Sequence, residues 1–128
     1  MKVILVDAIN TLIIPDKGVY QPLYNMLEKY TNRKIILTGA NDQEMLRYGL
    51  DKAPYEVFTL KHNPEKSDPN YYKILLDKFN LEVSDLIYIE HNLDAVKSAE
   101  SFDINVFHYD KDTKDIDSLN KYLEEHLT

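Results

Sequence analysis

The sequence predicts an α/β fold in three layers, a five-stranded parallel sheet with helices on both faces. Two observations carry this expectation. Short apolar runs rich in β-formers recur at residues 3–6, 35–37, 57–60, 86–89 and 104–107, and the stretches between them have helical spacing with recognisable caps. Runs that are apolar at nearly every position suit strands buried on both faces, and right-handed crossovers place the intervening helices there. At 128 residues the chain has the size of a single domain, 1–128, whose folding buries roughly two thirds of the unfolded chain's surface.

In chain order, the first run ends in Asp7. Ile13-Ile14, Pro15-Asp16-Lys17-Gly18 and Val19-Tyr20 then read as a small β-hairpin with a glycine-containing turn, projecting as a flap above the sheet's carboxyl edge. The second run closes on Thr38-Gly39. In "PNYYKILLDKF", Tyr71, Ile74, Leu75 and Phe79 predict one buried helical face, with Asp68 as N-cap and Pro69 in the first turn. The fourth run leads into Glu90-His91-Asn92, after which Asn92 or Asp94 caps "AVKSAESF". "DKDTKDID" is a polar loop, and Asp115 opens the closing helix "IDSLNKYLEEHL". The chain holds ten tyrosines. Tyr20, Tyr24, Tyr30, Tyr71 and Tyr72 stand on or beside helix starts and are expected at the core's edge with their hydroxyls in water.

Fifteen Lys and Arg against twenty-two Asp and Glu give a net charge of −7, with the basic residues scattered. Nucleic acid is therefore not an expected partner, because its binding starts from a basic stripe. No apolar run approaches the ~20 residues that span a bilayer, so no membrane partner is expected. The absence of cysteine excludes thiolate chemistry and suits a reducing, cytoplasmic location.

Parallel sheets bind ligands beyond the carboxyl ends of their strands, which points to Asp7, Thr38-Gly39, the segment after Leu60, and Glu90-His91-Asn92. Four motifs fall there: Asp7-Ala8-Ile9-Asn10-Thr11-Leu12, "KIILTG" around Thr38, Lys66-Ser67-Asp68-Pro69 before a helix, and "IYIEHNLDAVKSA". In this order the chain resembles the haloacid dehalogenase-like superfamily, mostly magnesium-dependent phosphohydrolases on a five-stranded Rossmann-like sheet. The resemblance implies Asp7 as the nucleophile that forms an aspartyl-phosphate, and Lys66 and Thr38 as catalytic supports. It further implies phosphate and substrate contacts from Asn10, Thr11, Gly39 and Asn92. Mg²⁺ would be held by Asp7, the Ile9 carbonyl, Glu90 and Asp94. The chemistry needs such parts because an anion attacking a phosphate dianion must be shielded by cations and N–H donors.

Two positions depart from the pattern. The family's second aspartate, which protonates the leaving oxygen, is Ile9 here, and the acids of the fourth motif are Glu90-His91 with Ala95. His91 reads as a substitute proton donor or as a surface histidine at a helix start. His62, His108 and His126 form no metal spacing and receive no role. About thirty residues separate Asp7 from Thr38, which leaves no room for a large cap domain. The first expectation is thus a phosphohydrolase-type protein with weakened or altered chemistry, acting on phosphate esters or acyl phosphates. Its partner would be a phosphorylated small molecule or macromolecule, with a homodimer through the tyrosines of the first helix and hairpin as a further expectation. The alternatives are an inactive binding protein on the same fold, or a metal-free dehalogenase-type hydrolase, which Asn92 near the site suits but which the missing cap and the lack of an arginine near the first motif, apart from Arg33 and Arg47, oppose.

Overall fold

The computed structural model describes residues 1–127. Along the chain run β1 (Val3–Asp7), β2 (Ile13–Ile14), β3 (Gly18–Val19), α1 (Gln21–Leu27), β4 (Lys34–Thr38), α2 (Asp42–Arg47), β5 (Glu56–Thr59), α3 (Asn70–Phe79), β6 (Leu86–Glu90), α4 (Leu93–Ser101), β7 (Asn105–His108) and α5 (Ile116–His126). The main sheet has the order β5-β4-β1-β6-β7, and all its pairs are parallel. The hairpin β2-β3 stands apart from it, with Ile13 opposite Val19 and Gly18 at φ 87° in the turn. Gly18 supplies the left-handed conformation that closes this turn at least steric cost.

Period-two alternation sends successive strand residues to opposite faces, and both faces are apolar. Ile4 and Val6 share one core with Ile36, Ile87 and Ile89, which Leu23, Met26 and Leu27 of α1 and Leu119 and Leu123 of α5 cover. Val3 and Leu5 share the other with Ile35, Leu37 and Tyr88, under Tyr71, Tyr72 and Leu75 of α3 and Ala99 of α4. The three expected layers are therefore present. Among the described residues no helix is long and apolar enough to cross a membrane.

Three local readings need correction. The buried face of α3 is Tyr71, Tyr72, Leu75 and Leu76, whereas Ile74 is exposed, so the helix is rotated from the expected stripe. The reason lies in the tyrosines. Tyr71 donates its hydroxyl to the Thr38 carbonyl at 2.8 Å, and Tyr72 donates to the Ala95 carbonyl at 3.3 Å, so both rings enter the core with their polar ends satisfied instead of wet. Pro69, not Asp68, is the residue before α3, although Asp68 accepts from the Asn70 N–H at 2.9 Å. Finally, β5 ends at Thr59, because Lys61 and His62 turn into the left-handed region at φ 52° and 66°.

Candidate active site

Asp7, Thr38 and Glu90 are the last residues of the neighbouring strands β1, β4 and β6. The chain leaves β1 for β4 on one side and reaches β6 on the other, so the crevice over β1 is the sheet's switch point. A cavity of about 400 Å³ opens there, lined among others by Asp7, Ile9, Thr38, Gly39, Lys66 and His91.

The turn after β1 aims the nucleophile candidate. The Ala8 carbonyl accepts from the N–H groups of Thr11 and Ile13, and Asn10 donates its N–H to the Ile13 carbonyl at 2.8 Å. This tight wrap needs a left-handed residue, and Asn10 at φ 67° is a type that tolerates one. Thr11 is thereby folded back so that its hydroxyl donates to Asp7 Oδ2 at 2.8 Å. The other oxygen, Oδ1, accepts from Lys66 Nζ at 2.5 Å, and the same ammonium lies 2.6 Å from Glu90 Oε1. His91 Nδ1 hydrogen-bonds Asp7 Oδ2 and lies 3.4 Å from Glu90 Oε2. Tyr88 donates to Glu90 Oε1 at 2.5 Å, and the Asn92 N–H donates to Oε2 at 3.0 Å.

No protein-family model matches the sequence, and no curated protein is significantly similar to it. Solved structures do match in shape. A HAD family enzyme from Bacteroides thetaiotaomicron, solved as a mutant with magnesium and inorganic phosphate, superposes with a TM-score of 0.65 at 10% identity, over 87% of this chain and 95% of that one. The core domain of a candidate phosphoglycolate phosphatase from Streptococcus pneumoniae matches with a TM-score of 0.55 at 17% identity, over 83% and 78%. The chain has the haloacid dehalogenase-like fold. A haloacid dehalogenase-like protein of unknown function from Agrobacterium tumefaciens matches with a TM-score of 0.57 at 14% identity, over 71% of this chain and 45% of that one. The chain spans less than half the length of several of the structures it matches.

On this haloacid dehalogenase-like frame each charge is set by its neighbours. Burial opposes ionisation of Asp7, but Lys66 and His91 outweigh it and hold the carboxyl below the usual carboxylate range. Burial likewise opposes a charge on Lys66, and the two carboxylates overcome it, so the lysine stays protonated beyond its ordinary range. Glu90 goes the other way: burial and the neighbouring Asp7 charge push it above the ordinary carboxylate value. The hydrogen bond to Asp7 raises His91. In this arrangement Asp7, the nucleophile candidate, is the charged member of the carboxylate pair and Glu90 the reluctant one.

The expected residues distribute unevenly over this site. Asp7, Lys66 and Glu90 form one network, and Thr38, Gly39, Asn10 and Asn92 line the cavity with Ile9 and Asp94. Thr11, expected to contact substrate, is fully buried, and its hydroxyl donates to Asp7 Oδ2. Asp94, expected on the metal, lies outside the convergent group Asp7, Glu90 and His91, whose donor atoms fall within 4.8 Å of one another. Asn92 caps α4 by accepting from the Ala95 N–H at 3.1 Å. Sequence reasoning gave no role to His62, yet it lines the cavity with one ring nitrogen on Glu44 and the other 2.5 Å from Glu65 Oε1. No sequence signal announces this trio, because its members come from α2 and from a loop with no fixed spacing. Tyr88 is the other omission; alternation along β6 places it on the same face as Glu90, two residues on.

Proposed function

We propose that the chain forms an aspartyl-phosphate on Asp7 and acts on phosphoryl donors whose leaving group departs without needing a proton, acyl phosphates above all. The observation that supports this most directly is the Lys66 ammonium held 2.5 Å from Asp7 Oδ1 at the mouth of a cavity walled by Thr38 and Gly39. One Asp7 oxygen attacks phosphorus while the bond from phosphorus to the leaving oxygen breaks; an acyl leaving group departs as a carboxylate. Water then attacks phosphorus, the bond to Asp7 breaks, and phosphate leaves with both of the water's protons. Lys66 offsets the charge that gathers between nucleophile and phosphate, and Thr11 keeps the carboxylate in line. Ile9 lines the cavity and donates nothing, so alkyl phosphates, which need a proton on the leaving oxygen, are the poorer substrates.

A divalent cation fits the donors on the His91 side of Asp7. Lys66 takes Oδ1 and Oε1, while Asp7 Oδ2, Glu90 Oε2 and His91 Nδ1 converge on the opposite side. Bound there, an ion would supply further positive charge to the phosphoryl oxygens.

The test is intact-protein mass spectrometry after incubation with a divalent cation and acetyl phosphate. A single phosphoryl increment, lost in Asp7→Asn, is expected; no increment at saturating donor overturns the proposal. The position of Ile9 also favours a second reading, a phosphate-binding protein without turnover. It requires inorganic phosphate to bind, seen as perturbed amide resonances at Gly39 and Asn10, with no adduct on Asp7.

A further inference from the structure

We infer that the ion held by Asp7, Glu90 and His91 is a first-row transition cation in the range Mn²⁺ to Zn²⁺ rather than Mg²⁺. The inference deepens the proposed function and rests on the divalent site described there. It begins with how the two buried carboxylates are divided. Each spends one oxygen on the same ammonium: Lys66 Nζ is 2.5 Å from Asp7 Oδ1 and 2.6 Å from Glu90 Oε1, and Tyr88 adds a second donor to Oε1. One oxygen of each acid then remains toward His91, namely Oδ2 and Oε2. The third convergent donor is the imidazole nitrogen Nδ1, which hydrogen-bonds Asp7 Oδ2 and would give up that bond and its proton to take an ion. Asp94, which would have made the set all-oxygen, stands outside it.

The surroundings hold His91 in this role. The His91 carbonyl accepts from His108 Nε2 at 2.9 Å, which ties the backbone after β6 to the end of β7. Its side chain is only 18% exposed. Thr11 Oγ1 orients Asp7 Oδ2, and the Asn92 N–H orients Glu90 Oε2, so both oxygens carry the outer hydrogen bonds that fix metal-binding carboxylates.

Ligand type then decides the cation. Mg²⁺ demands near-octahedral oxygen coordination at about 2.0–2.1 Å and keeps several waters. Imidazole suits Zn²⁺, Fe²⁺ and Ni²⁺, and affinity for a mixed nitrogen and oxygen site rises along the first row from Mn²⁺ toward Cu²⁺. A site of two carboxylate oxygens and one imidazole nitrogen belongs with that second group. Replacing the nitrogen with a carboxylate would return it to the first.

The full chain, stripped with a chelator, is titrated with Co²⁺ and followed by visible d–d absorption, and the bound Co²⁺ is then challenged with Zn²⁺ or with Mg²⁺. Zn²⁺ is expected to displace it and a large excess of Mg²⁺ is not. His91→Asp should lose about 10- to 100-fold in Co²⁺ affinity, at least the size that loss of an orienting partner commands, and should become responsive to Mg²⁺. Because that variant could unfold, a second measurement uses the unaltered protein: the ring nitrogen resonances of His91 must shift on saturation with Zn²⁺. Failure of Co²⁺ to bind, displacement by comparable Mg²⁺, or unmoved His91 resonances would each overturn the inference. These readouts involve no phosphoryl donor. Cobalt binding without an Asp7 adduct sinks only the proposed reaction, and an adduct formed with Mg²⁺ as the preferred ion sinks only the metal assignment.

Discussion

Ile9 lines the cavity with a hydrocarbon side chain that can donate no proton, and in the proposed reaction no group therefore serves the leaving oxygen from this position. Ile9→Asp should therefore raise phosphate release from an alkyl phosphate by about 10²- to 10⁴-fold while changing acyl phosphate turnover little, both measured as initial rates. Lys66 sits between a 3% and a 0% exposed carboxylate. Lys66→Met strands both acids, and urea unfolding should show a loss of about 3 kcal/mol, the lower end for breaking a buried pair because Glu90 relieves itself by taking a proton. His62 gives a prediction in pH. The bond to Glu44, opposed by partial burial and reinforced by Glu65, raises its pKa above the ordinary histidine value. The stabilisation this trio gives is complete below that ordinary value and is lost as pH rises through the raised one. An NMR titration of His62 that falls at or below the ordinary midpoint would refute it. That Asp7, Lys66, Glu90 and His91 meet at one edge was legible in the sequence, because each belongs to a local motif at a strand end or before a helix. How their hydrogen bonds divide the two carboxylates, with Tyr88 on Glu90, was not, because the contacts of Lys66 and His91 with them join residues far apart in the chain.

Among the elements, α2 is the one whose stability rests on its cap. It buries no residue, and its first turn is closed reciprocally by Asn41, which accepts from the Glu44 N–H at 2.9 Å, and by Glu44, which accepts from the Asn41 N–H at 3.0 Å. Asn41→Ala should cost this helix about 1 kcal/mol, seen as faster amide exchange across residues 42–47 with β1 unchanged. Since Glu44 also holds His62, the change should loosen that wall of the cavity as well. Helix and strand existence was legible from period and caps: Asn92 and Asp115 both cap the helices expected of them. The orientation of α3 was not. Ile74 and Phe79 fit an apolar stripe, but the deciding contacts are tyrosine hydroxyls reaching carbonyls of β4 and α4, which no hydropathy pattern contains.

For the whole molecule, the sheet order β5-β4-β1-β6-β7 was legible as a class, through continuous apolar runs alternating with helices, while the order itself was not. Central β1 comes first in the chain and pairs with β4 and β6 on its two sides. This has a consequence during synthesis. β4 and β5 can join β1 once they leave the ribosome, but β6 arrives later, on the order of ten seconds after Asp7 at usual elongation rates. Until then the half-made sheet carries β1 as an open apolar edge, Val3 to Val6, the kind of edge that recruits other strands. The nascent protein is thus most in need of a holding chaperone between the emergence of β5 and that of β6, and the acidic pair Asp7 and Glu90 is assembled only in the step that ends this exposure.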